Sequence, residues 1–289
     1  MGESLTRAIG HLAESGILPE VFAHPFMIRA VLAALIAAPL FGAFSPIVVA
    51  KRLAFFSSTL GHAALSGVAV ALLLGEPLDR PYVGIFGFTL LMALAITYVR
   101  RHSGLPADTI VGVFLAFGLG LGICLLVAVS RRFNIHQIEG VLFGSLVTVT
   151  ELDLLLLGGI ALIAVTILVA IYNDLVLGSL DPILAASRGV RVVWIEYLFM
   201  VTLTLVIAAS IKIIGALLVE ALVIVPAAAA RNVASNMRGY FLWSCLFALL
   251  GAQGGLLAGA LLPVPSGAAI VLALAAVFFL TLLVRLLRR

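Results

Sequence analysis

The chain has 289 residues, 64% of them hydrophobic and only 10% charged, with a mean hydropathy of +1.29. Soluble domains carry about 25% charged residues, so this composition excludes a water-soluble globular protein and describes a polytopic membrane protein. The net charge of +4 is no argument for a nucleic-acid partner, because in such a chain the distribution of cations between loops sets orientation.

Residues 1–23 are polar and mildly amphipathic, and lack the basic start, apolar run and small-residue cleavage site of a signal peptide. Residues 24–289 read as a single membrane-embedded domain. Apolar stretches of about 20 residues lie near 26–50, 53–75, 82–99, 109–129, 153–172, 193–211, 213–230, 240–262 and 266–287. The divisions at Lys51-Arg52 and around Lys212 are the weakest, so the expected fold is an all-α bundle of eight or nine transmembrane helices. Residues 138–149 are apolar but short, which suits a re-entrant or interfacial piece. Cys124 and Cys245 both fall in apolar spans, so neither a disulfide framework nor a thiolate metal site is expected.

With the N-terminus outside, Lys51, Arg52, Arg100, Arg101, Arg188, Arg191, Arg231, Arg238, Arg285, Arg288 and Arg289 share one side. They are 11 of the 17 basic residues, and the positive-inside rule makes that side cytoplasmic. Glu3, Glu14, Glu20, Glu76, Asp79, Glu139, Glu151 and Asp153 fall on the other side, an acidic rim of solvated loops able to concentrate cations. The largest internal loop runs from about 173 to 191. Asp181 as N-cap and Pro182 at the first helical position start a short cytoplasmic helix there, and Gly189 suits its stop. That helix has Ile183, Leu184 and Ala186 to bury, against the bundle itself or against a docked subunit. Runs of small residues, such as Gly118-Leu-Gly-Leu-Gly122, allow close helix approach and show tight packing only.

Three ionisable residues lie inside apolar spans: His62, Lys212 and Glu220. A charge at bilayer depth costs several kcal/mol, about 3 on insertion scales, so such residues face a polar pathway or one another. An imidazole and a carboxylate in separate spans are raw material for a cation path. The structural alternatives are a neutral His62 bonded to a backbone carbonyl, and a Glu220 that is protonated or paired with Lys212. That lysine stands eight residues away near the same helix face, with about 12 Å of rise between the backbones. Pro226 removes a backbone hydrogen bond and kinks its span, as a gate element or as ordinary bending. Ser57, Ser58 and Thr59 have backbone carbonyls to satisfy them; Ser58 alone is a candidate weak path-lining group. His11, His24, His102 and His136 read as surface residues.

The stretch Lys51-Arg-Leu-Ala-Phe-Phe-Ser-Ser-Thr-Leu-Gly-His-Ala-Ala-Leu-Ser-Gly-Val-Ala69 resembles a signature of the permease subunits of ABC importers for zinc, manganese and iron. Leu180-Asp-Pro-Ile-Leu-Ala-Ala-Ser-Arg-Gly189 is similar to that family's cytoplasmic coupling segment. Lys212-Ile-Ile-Gly-Ala-Leu-Leu-Val-Glu-Ala-Leu-Val-Ile-Val-Pro-Ala-Ala-Ala-Ala-Arg231 is similar to one of its spans. The three stretches come in the family's order and extend over most of the chain.

The resemblance implies a homodimeric inner-membrane permease, multi-pass, with its path at the dimer centre. It implies two cytoplasmic ATPase subunits seated on the coupling segments through Asp181, Pro182, Ala185 and Gly189, and an extracytoplasmic metal-binding protein on the outer face. The chain has no G-x-x-x-x-G-K-S/T phosphate loop, which fits ATP use by a separate subunit and no enzymatic activity here. No permanently bound cofactor is expected; the metal ion is cargo. In the family the histidine span usually reads Asp-x-x-x-His, a carboxylate and an imidazole on one helix face able to share a transition metal. Here Ser58 stands at the aspartate position, while Glu220 occupies a position where the family more often has a small or apolar residue. The expectation is that Glu220 replaces the missing carboxylate from the other helix. A competing reading is a stand-alone, ion-gradient-driven carrier or channel, with His62 and Glu220 as a relay. An intramembrane hydrolase is disfavoured: no H-E-x-x-H and no nucleophile pair occurs.

Overall fold

The computed structural model describes residues 25–77, 81–130, 149–262 and 264–288. The N-terminal segment and nearly all of the short apolar piece at 138–149 lie outside the described residues. Ten helices follow in chain order: α1 Pro25–Ala50, α2 Phe56–Leu73, α3 Tyr82–His102, α4 Ala107–Ser130, α5 Glu151–Leu180, α6 Pro182–Ser187, α7 Val192–Ile214, α8 Ala216–Val233, α9 Met237–Leu261 and α10 Ser266–Leu287. Among the described residues, nine are long and apolar enough to cross a membrane, all but α6.

Both doubtful divisions resolve into breaks, which makes the count nine among the described residues. Between α1 and α2 the chain turns at Arg52, whose φ is +55°, a left-handed conformation uncommon outside glycine. The second break is at Gly215 rather than at Lys212, which belongs to the last turn of α7. Gly215 has φ +84° and ψ +154° and is the only residue between α7 and α8. A side chain there would be strained.

The internal loop is shorter than the 173–191 expected. α5 continues to Leu180, 30 residues in all, or roughly 45 Å at 1.5 Å per residue against a hydrocarbon core of about 30 Å. Asn173 and Asp174 look like the end of a span in sequence. They are exposed positions on a continuing helix whose other face still buries Leu175 and Gly178. A capping box opens α5: the Thr150 side chain accepts from the N–H of Asp153, and Asp153 accepts from the N–H of Thr150.

The core gathers around α1, α2 and α7, where Phe41, Phe44, Leu53, Leu60 and Phe199 are fully buried. The Phe44 and Phe199 rings lie 5.7 Å apart. α8 passes through Pro226 as one helix. Proline has no N–H to give the carbonyl one turn earlier. The N–H of the next residue, Ala227, donates to the buried hydroxyl of Ser45 on α1 at 3.2 Å. Ser45→Ala should cost about 1 kcal/mol by removing that buried contact between α1 and α8, read as a lowered unfolding midpoint in detergent.

Candidate functional site

Three sides of α2 are occupied. The hydroxyls of Thr59 and Ser66 donate to the carbonyls of Val111 and Gly118 on α4, each at 3.3 Å. Gly67 lies against the backbone of Gly84 on α3. Gly61 lies against α8, where a Cβ would come within 2.9 Å of the Ala216 Cβ. Ser58 and His62, one turn apart, are left half-buried on the remaining flank. On α8 the incompletely covered flank carries Leu217, Glu220, Ala221, Ile224, Ala228 and Arg231. His62 and Glu220 thus sit on touching helices, and neither side chain makes a hydrogen bond or ion pair. Among the described residues no group of three or more His, Cys, Asp or Glu converges as a metal cluster would.

Lys212 does not pair with Glu220. Its Nζ donates to Asp153 Oδ1 and to the Tyr82 hydroxyl, both at 3.0 Å, while that hydroxyl donates to Asp153 Oδ1 at 2.5 Å. The ammonium also lies 4.7 Å from the centre of the Tyr82 ring. The break at Gly215 changes helix direction between positions 212 and 220, so the same-face argument fails. Asp153 is likewise no solvated rim residue: its side chain is 3% exposed. The triad joins the ends of α3, α5 and α7 and was missed in sequence, although the Thr150-x-x-Asp153 spacing and an unexplained intramembrane cation both pointed to it. Beside it Arg29 donates to the Val149 carbonyl at 3.3 Å and lies 3.8 Å from Glu151.

At the opposite end, Asp181 closes α5 and caps α6, its Oδ1 accepting from Ile183 N at 3.0 Å and Leu184 N at 2.9 Å. Pro182 takes the first helical position, and Gly189 follows with φ +78°. The burial expected of this helix is redistributed. Ala185 is fully buried within the chain, while Ile183 is 83% exposed and Leu184 and Ala186 are exposed with it. The bundle therefore does not cover the apolar face of α6. Cys124 and Cys245 are free thiols, and His102 is exposed, bonded to the Tyr98 carbonyl.

Nine membrane-length helices among the described residues, with ionisable residues on incompletely covered flanks, define a multi-pass membrane protein. The model of the ABC 3 transport family matches residues 23–285, and the chain belongs to that family. It is 31% identical over 262 residues to the high-affinity zinc uptake system membrane protein ZnuB of Haemophilus influenzae, covering 90% of this chain and 97% of that one. It is 32% identical over 255 residues to the manganese import system permease protein ScaB of Streptococcus parasanguinis, covering 88% and 89%. Among solved structures, PsaBC from Streptococcus pneumoniae in complex with Fab matches with a TM-score of 0.76 and 28% identity, over 89% of this chain and 90% of that one.

Proposed function

We propose that this chain is the permease subunit of an ATP-driven importer of a divalent transition metal, with zinc favoured over manganese and iron, and that the ion passes His62 and Glu220. The observation that carries the reading is the pair of unpartnered ionisable side chains on the open flanks of two touching helices. Family membership and the zinc and manganese systems among the relatives support the substrate class.

Register supports Glu220 as the displaced carboxylate. In a nine-span bundle α2 and α8 run in opposite directions, and they meet at Gly61 and Ala216. Four residues further along α8, about 6 Å of rise, brings Glu220 to the level of Ser57 and Ser58, where the family's aspartate is absent. One chain then offers an imidazole and a carboxylate, short of the four ligands zinc takes. Two copies around a shared central path double the set, which favours a homodimer. A loosely held, incomplete site suits an ion that must leave again.

The partners follow from the surfaces. The uncovered apolar face of α6 is the seat for a separate ATPase subunit, with Asp181, Pro182 and Gly189 shaping the helix and Ala185 anchoring it to the bundle. An extracytoplasmic metal-binding protein delivers the ion to the opposite face. Alternating access, driven by ATP hydrolysis in the partner, opens the path first outward and then toward the cytoplasm.

The test is uptake of zinc, manganese and iron into proteoliposomes holding this chain with its ATPase and binding protein. Glu220→Gln and His62→Ala are each expected to lower ATP-dependent uptake at least tenfold, with assembly intact. Normal transport by Glu220→Gln would make that carboxylate structural. Uptake that persists without ATP and collapses with the ion gradient would favour the stand-alone carrier.

A further inference from the structure

We propose that the groove between α3 and α7 is a binding site for one anionic phospholipid of the cytoplasmic leaflet, with its phosphate on Arg101 and an acyl chain along Leu94, Leu198 and Val201. The groove holds about 680 Å³ and is lined by Leu94, Val193, Trp194, Tyr197, Leu198 and Val201. Apart from the Tyr197 hydroxyl and the Trp194 indole N–H, these side chains offer a lipid tail only hydrocarbon. Leu94, Tyr98 and Arg101 are spaced four and three residues apart and so share one face of α3. That face runs from apolar to aromatic to cationic over about 10 Å, the order of tail, interface and headgroup. Trp194 is 72% exposed and Tyr98 58% exposed at the level where aromatic side chains line a membrane interface.

Charge selects the headgroup. Glu196 accepts from Arg101 Nη1 at 3.2 Å and lies 3.3 Å from Arg100 Nη2. It also attracts Lys51, whose ammonium burial pushes below the ordinary lysine range; Glu196 opposes that shift and Arg100 adds to it. Three cations therefore meet one carboxylate. Arg100 Nη1 is buried without a hydrogen-bond partner, and Arg101, about one-third exposed, has donors to spare beyond its one bond to Glu196. A phosphate supplies the missing negative charge and accepts from the accessible Arg101 alone, since the Arg100 Nη1 is out of a headgroup's reach, and a zwitterionic headgroup would bring a cation of its own. The inference uses the orientation that puts the arginine-rich end in the cytoplasm, where anionic lipids attract basic residues. It does not depend on the metal path.

The test uses the permease assembled with its ATPase, delipidated and then titrated with phosphatidylglycerol or phosphatidylcholine under native mass spectrometry. One discrete phosphatidylglycerol per permease chain is expected, retained about tenfold over phosphatidylcholine. Arg101→Gln should bring the two lipids to parity, while Arg285→Gln, at the same end of the bundle, should leave the preference unchanged. Leu94→Trp, which fills the groove and keeps every charge, should remove the adduct as well, so a folding defect of the arginine variant does not leave the question open. Equal retention of both lipids, or a preference lost equally in Arg285→Gln, overturns the proposal. So does a spontaneous Val193→Cys disulfide between two copies of the chain, which would show the groove covered by protein.

Discussion

Lys212→Met is expected to cost the fold about 3–5 kcal/mol, the range for removing one partner of a buried ion pair. The loss is not that of one contact. Asp153 is held by Lys212 and the Tyr82 hydroxyl on Oδ1 and by Thr150 on Oδ2. Without the ammonium a nearly inaccessible carboxylate keeps its hydrogen bonds and loses its counter-charge. The neutral double variant Lys212→Gln/Asp153→Asn should recover at least half of the deficit, because the amide oxygen keeps the cap on Thr150 and the amide N–H donates to the Tyr82 hydroxyl in place of the present bond. Unfolding midpoints of wild type, single and double variants in the same detergent decide it. A single variant that melts with wild type would show that the triad contributes nothing to stability.

The second large effect is steric. A Cβ on Gly84 would lie 2.2 Å from the Gly67 carbonyl oxygen and 2.6 Å from the Ala71 Cβ, and a Cβ on Gly67 would lie 2.4 Å from the Gly84 carbonyl oxygen. Neither the carbonyl oxygens nor an alanine Cβ can be moved by a rotamer change, so Gly84→Ala must push α2 and α3 apart. We expect about 2–3 kcal/mol, the upper part of the range for overpacking, read as a lowered unfolding midpoint in detergent. Gly87→Ala, one turn along α3 in open space, should be neutral or slightly stabilising, since alanine is the better helix residue. Equal melting of the two variants would refute the close-approach account.

What the sequence made legible was whatever depends on runs of residues. Span positions follow from twenty-residue apolar averages, and the start of α6 from the local chemistry of Asp181 and Pro182. Where a polar residue sat on a continuing helix, as at Asn173 and Asp174, the average ended the span too early. Partner choice was illegible for a different reason. Lys212 finds Asp153 59 positions away and Tyr82 130 positions away, and no spacing rule spans such distances. The candidate pair His62 and Glu220 was named from the cost of charge in lipid together with family resemblance. Only the fold puts the two on touching helices. Ala185 was named for its place in a coupling motif; only the fold shows that it is buried within this chain.

The single-residue connection at Gly215 also fixes phase. With nothing to spare between α7 and α8, one added residue would turn α8 about 100° around its axis. Glu220 would swing off the incompletely covered flank of α8, while Lys212 stayed on Asp153. Length at this point therefore sets the direction of Glu220 as firmly as the helix that carries it. Deletions and insertions that a surface loop would absorb become, here, changes of direction for a carboxylate.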